Sequence, residues 1–416
     1  MNDETIQPRP YLKLLLWAAL LGLISAVITF IFMALVNVGT SAVWETAAAA
    51  TGLSTQVFTL LVCTIGGLLV GVLVKIFGDH SGIFAVMMAE FGRTGRFDYR
   101  NAPGTVLMAL VSLVSGGSLG PEAPMADACG SVGTWLSERR KLDERGTRAL
   151  GFSGLSGMLG AFFTSPFGGA LLGLEAARGG VSYPWTLFPS LVASAVATTV
   201  FIMLSGQYFG MLYALPAYTL NVTDLLLAVP LGLAGALVGA IFILAIRWLS
   251  KLVAPLKNRV IVRGLIGGLV LGLVGAMVPL VLFSGEEQTN TLIQDAAAIG
   301  AIPLIGMAVV KLLLTALLLV TGWKGGYIFP TMFAGVALGM AINLVFPTVP
   351  VPVAVAAAMG GAMVATMKAP IFSAIFVTLL VERSVSPIVA IAVIVGVIAT
   401  AKLSMVPPPP KPPVTW

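Results

Sequence analysis

Charge is what this sequence has least of. Only 10% of its 416 residues are Asp, Glu, Lys or Arg, against 58% hydrophobic, and the mean hydropathy is +1.01. Such a chain lacks the charged surface of a soluble globular protein and reads as an all-α polytopic membrane protein. Cysteine is nearly absent: Cys63 and Cys129 are the only two. Both lie among apolar or small residues, which argues against a disulfide framework or a cysteine metal site and leaves them as packing residues. The single histidine, His80, has no second imidazole nearby, so it reads as part of a helix break and no metal is expected. No nucleotide loop, paired catalytic carboxylates or Ser/His/Asp arrangement is visible, so neither an enzyme nor a cofactor is expected.

What is present is a succession of apolar runs of roughly 18 to 25 residues, the length that crosses a ~30 Å hydrocarbon core as helix. The first, at 12–36, follows MNDETIQPRP; it is too long for a signal h-region and reads as the first span. The formal charge of +6 does not indicate nucleic acid, because the basic residues gather in short loops. The loop 138–148 and the stretch holding Arg247, Lys251, Lys257, Arg259 and Arg263 are expected on the cytoplasmic side of a cell membrane. The proline-rich 403–416 reads as an extended tail.

The chain also resembles itself. IGGLLVG at 65–71 returns as IGGLVLG at 266–272, HSG at 80–82 as FSG at 283–285, and the region of Pro166 as that of Pro370. Composition alone could produce any one of these matches; their shared order and near-constant spacing indicate duplication. The expected division is a first half over 12–205, a connection over 206–222 and a second half over 223–402.

Glycine, serine and proline interrupt the apolar pattern at GDHSGIF (78–84), GGSLGPEAP (116–124), FSGEEQT (283–289) and GWKGGYIFP (322–330). Broken backbone at membrane depth is tolerated only where protein buries it or it lines a wet cavity. A helix that begins there offers unpaired N–H groups and a positive dipole end to an anion. In GGSLGPEAP, Pro121 suits a first helical turn and Glu122 falls among those donors. Two readings stand: a residue that merely complements the dipole, or a tethered anion on a transport path, as intramembrane carboxylates tend to be. Glu175 has the same two faces, an ion pair with Arg178 or a proton relay. Glu382 beside Arg383 reads as a solvated helix-end pair, and Lys311 and Lys368 as residues snorkelling from helix ends.

The ordered set HSGIF, GGSLGPEAP, FFTSPFGGALLGLE, GGYIFP and MKAPIFSAIFVTLLVE resembles the CLC family of chloride channels and proton-coupled anion exchangers over about residues 12–402. The resemblance implies an inverted repeat of two halves with tilted and re-entrant helices, and a homodimer with one anion pore in each subunit. Matched position by position, Glu122 is implied as the outer gate and Ser81 as an anion ligand through its hydroxyl. Gly120, Glu122 and Ala123 at one helix start, and Gly326, Tyr327 and Ile328 at another, complete the implied anion site.

Departures are visible too. GPEAP stands where the family has GREGP, and Phe84 where it has a proline. The late anion-binding tyrosine has no counterpart. The exchangers' inner proton-relay glutamate aligns with Ala176, next to Glu175, and the nucleotide-sensing domains of many relatives are absent. The expected function is transport of chloride or another halide, exchanged for protons and gated by Glu122. A passive chloride channel and a fluoride/proton antiporter are the alternatives within the family. An intramembrane enzyme would need a nucleophile or metal set that is not seen. A cation or organic-solute carrier should show carboxylates and carbonyl ends at its breaks rather than helix starts.

Overall fold

The computed structural model describes residues 8–80, 82–176, 183–206 and 213–405. Ser81 and the tail beyond 405 lie outside the described residues, as does Arg178.

The first nine helices are α1 (Pro8–Ser41), which passes through a π-helical stretch, Ala42–Ala47, into α2 (Ala48–Thr51), then α3 (Thr55–Phe77), α4 (Phe84–Thr94), α5 (Ala102–Val114), α6 (Glu122–Arg139), α7 (Glu144–Phe162), α8 (Pro166–Ala176) and α9 (Tyr183–Ser205). After an extended stretch come α10 (Val222–Val253), α11 (Val260–Met277), α12 (Glu286–Ile299), α13 (Ala301–Val320), α14 (Ile328–Val345), α15 (Val351–Met367), α16 (Pro370–Leu380) and α17 (Ser386–Ala399). The order of α3 to α9 matches that of α11 to α17: α6 and α14 have 18 residues each, α8 and α16 have 11 each.

Among the described residues, seven helical stretches are long and apolar enough to cross a membrane, and the protein is a multi-pass membrane protein. Others are too short to do so upright. At ~1.5 Å per residue, α8 and α16 reach only about half the hydrocarbon thickness. Side chains such as Leu16, Ile31, Leu61, Leu237 and Leu273 are exposed on the outer helices, as suits lipid contact.

Small residues let the halves approach. Gly67 and Gly71 of α3 pack against Gly264, Gly268 and Ile261 of α11 so closely that a Cβ at Gly67 would meet the Gly264 carbonyl at 2.5 Å. Without a hydrophobic driving force between helices in lipid, such backbone contact is what holds them. Cys63, at the same seam, and Cys129 are buried and unbridged, as expected of packing residues.

The breaks form where the chain must leave one helix and enter the next within a few residues. Gly116 after α5 and Gly322 after α13 take φ of 84° and 101°, the left-handed region that a side chain would oppose. Each turn leads into an irregular stretch that runs to a helix start. These two stretches then meet: Gly120 N–H donates to the Gly326 carbonyl at 2.9 Å, and Gly326 N–H donates back to Gly120 at 2.6 Å. This isolated antiparallel bridge joins the two halves at the interior.

Candidate functional site

The bridge places α6 and α14 start to start. A helix beginning here has amides with no intrahelical acceptor, and neither helix is capped by its own N-cap side chain. The vacancy at α14 is filled from the other half. Glu122, fully buried, turns Oε1 onto the Ile328 N–H at 2.7 Å. Its Oε2 has no hydrogen-bond partner among the described residues. Glu122 therefore serves two helix starts, its own through its backbone amide, as first-turn placement suggested, and that of its counterpart through Ile328.

Glycine at 120 and 326 is a steric requirement. A Cβ on either residue would land on the Glu122 carboxylate. The expectation that Gly326 offers its amide to an anion is corrected, because that N–H is spent on the Gly120 carbonyl; Gly120's amide is likewise spent. Both residues build the site by leaving room. Ala123 is buried at the start of α6, and the Ile328 amide is the one that meets the carboxylate.

Tyr327 contributes more than its backbone. Its ring is buried, 5.3 Å from that of Phe242, and its hydroxyl has no hydrogen-bond partner among the described residues. The hydroxyl lies against the Ala85 amide in the first turn of α4 and within electrostatic reach of Glu122. The hydroxyl thus meets a third helix start, whose N-cap, Ile83, provides no side-chain cap, while its own proton is left without a protein acceptor among the described residues. Ser81, matched to an anion-binding hydroxyl by resemblance, lies outside the described residues. The place of the Tyr327 hydroxyl near Glu122 was not legible because nothing in GGYIFP says where the ring turns.

Glu175 lies elsewhere. Its two carboxylate oxygens accept from Ile371 N–H at 2.6 Å and Phe372 N–H at 2.7 Å, capping the start of α16. Buried rings pack nearby: Phe372, whose amide meets Glu175, lies 6.1 Å from Phe163, itself 6.2 Å from Phe329, centroid to centroid.

Three lysines are bonded inside the fold. Lys311 is wholly buried rather than snorkelling. Its ammonium donates to the carbonyls of Val281, Leu282 and Phe283 at 3.1, 3.1 and 2.7 Å, and the Phe283 amide donates to Gly116 at 3.0 Å. A cation wrapped by the turn before α12 thus braces the turn before α6. Lys368 reaches Thr400, also inside the fold. Lys324, 2% exposed, donates to the His80 carbonyl, beside the ion pair Arg263–Asp79. Its motif was visible in the sequence; its burial was not.

A family model described as voltage gated chloride channel matches residues 66–401. Relatives named putative ion-transport protein YfeO, from Escherichia coli (strain K12 / DH10B) and Shigella sonnei (strain Ss046), are 25% identical over 336 residues, 79% of this chain and 79% of theirs. Among solved structures, a slow cyanobacterial Cl-/H+ antiporter superposes with a TM-score of 0.83 at 20% identity, covering 96% of this chain and 95% of its own. A CLC-type fluoride/proton antiporter does so with a TM-score of 0.79 at 18% identity, covering 94% and 96%. At these identities the structures speak for the fold, an inverted repeat of tilted and re-entrant helices. The family match spans most of the chain, and the chain therefore belongs to the voltage-gated chloride channel family, the CLC proteins.

Proposed function

We propose that the protein carries chloride or another halide across a cell membrane in exchange for protons, as a homodimer, with Glu122 as the gate. The halves involved are 12–205 and 223–402, joined through 206–222, and each subunit forms its own path where their helix starts meet. The observation that carries this reading is the Glu122 carboxylate seated on the Ile328 amide with Oε2 unpartnered. A negative side chain occupies the kind of site a mobile anion would take.

Competition follows from charge. Two negative groups ~4 Å apart repel by on the order of 4 kcal/mol at an effective dielectric of 20, so carboxylate and anion exclude one another. Protonation removes the charge that holds Glu122 to the amide, the side chain withdraws, and the anion takes its place beside Ile328, Ala123 and the Tyr327 hydroxyl. Return of the carboxylate expels the anion. Two neighbours in fold are named as proton antiporters, which favours coupling over passive flow. A passive channel is the second reading, favoured by Glu175, whose oxygens are both engaged by α16 and so not free to relay protons.

Purified protein in liposomes tests the proposal. An outward chloride or fluoride gradient should drive protons uphill into the vesicle lumen. Anion movement without protons leaves the channel reading, and failure to move either halide overturns the proposal. The faster of the two halides identifies the preferred substrate.

A further inference from the structure

A cavity of about 420 Å3 opens beside the helix starts. Its rim carries the exposed His80, Glu90, Arg96 and Asp98, and its floor is made by buried Ala123, Pro124, Lys324 and Gly325. The floor residues adjoin Glu122 and Gly326 in the chain, so the cavity leads from the surface to the back of the gate. Its ionisable lining is His80, Glu90, Arg96, Asp98, Asp127 and Lys324. Of the three carboxylates, only Asp127 is on α6, the helix that Glu122 begins. It is half-buried and within electrostatic reach of Asp98, Lys324 and Glu90.

We propose that Asp127 is the proton-transfer residue that serves Glu122 from this cavity. The proposal rests on the proton-coupled reading above and names the residue that makes coupling work. Five residues of helix separate the two carboxyl-bearing positions by about 7.5 Å along the axis. With about 140° of rotation around the helix as well, that is too far for direct transfer or a single water and calls for a short chain of waters in the polar cavity. The alternative carboxylate, Glu175, is poorly placed, because both of its oxygens are engaged by the start of α16.

The step balances. Protonated Asp127 gives its carboxyl proton to the first of a short chain of waters, each water passes on one of its own O–H protons, and the last protonates the Glu122 carboxylate. The waters are regenerated, Asp127 is left as the anion, and a proton arriving from the open rim restores it. Lys324, across the cavity on the other half, keeps the charged form of Asp127 compatible with a low-dielectric floor.

The test is Asp127→Asn in the full chain, in liposomes, with chloride flux and proton uptake followed together. Chloride should continue to move while protons carried per chloride fall at least tenfold. Wild-type coupling retained in Asp127→Asn overturns the proposal alone, and so does loss of coupling in Glu175→Gln with Asp127→Asn still coupled. A wild type that moves chloride but no protons overturns the coupled reading and this proposal with it. Should Asp127→Asn silence both fluxes, Asp127→Glu decides: coupling recovered supports the assignment, whereas chloride flux without protons, or continued silence, overturns it.

Discussion

The Ile328 amide, at the start of a helix in the second half of the chain, donates a 2.7 Å hydrogen bond to the carboxylate of Glu122, at the start of a helix in the first. Each half leaves a helix end unsatisfied, and the pair is completed across the bridge between Gly120 and Gly326. Charge-assisted hydrogen bonds to a helix start are strong only while the acceptor is ionised. The bond that shapes the site is thereby also the one a proton weakens.

Tyr327→Phe separates binding from stability. The hydroxyl meets only the Ala85 amide and finds no acceptor for its own proton among the described residues, so its removal should leave the Tm of detergent-solubilised protein close to that of the wild type. If it is a ligand, anion affinity falls about tenfold, the worth of one hydrogen bond of about 1.4 kcal/mol. Isothermal titration with chloride and with fluoride reads the affinity; a lowered Tm at unaltered affinity contradicts the assignment.

Gly326→Ala tests the steric side. The added methyl lands on the Glu122 carboxylate, and overpacking of this sort costs about 1–3 kcal/mol. The carboxylate should be displaced from the Ile328 amide, and halide flux should lose most of its response to pH. A pH profile of flux that matches the wild type would show that Glu122 does not rest there.

Lys311→Met removes the ammonium from the carbonyl cradle of Val281, Leu282 and Phe283. Buried carbonyls left without a donor cost about 1–3 kcal/mol, so the variant should melt several degrees lower, and Lys311→Arg should recover part of the loss. Differential scanning fluorimetry in detergent measures both. An unshifted Tm would mean that water enters the cradle and replaces the ammonium.

Much of this was legible in the sequence because helix starts are written locally. The Gly-rich break, Pro121 and Glu122 announce a helix beginning with a carboxylate inside an apolar chain, and GGYIFP announces its counterpart. What could not be read was which group answers which. Glu122 serves Ile328, and Gly326 spends its amide on Gly120, because the two halves meet there, more than two hundred residues apart in the chain. Lys311 was misread for the same reason: a lysine in an apolar helix is expected to reach the surface, and only the fold brings three carbonyls to it. Glu175 was legible as a carboxylate at membrane depth, but its engagement with α16 depends on α8 and α16 meeting.

The most direct measurement is proton movement driven by a chloride gradient in liposomes, made on the wild type and on Glu122→Gln side by side. The substitution keeps the side chain's shape and removes its charge and its titration. Wild-type vesicles should take up protons uphill and carry chloride faster as pH falls, because protonation releases the gate. Glu122→Gln should carry chloride at a rate indifferent to pH and move no protons. A glutamine variant that still pumps protons, or whose chloride flux keeps the wild-type pH profile, would contradict the account.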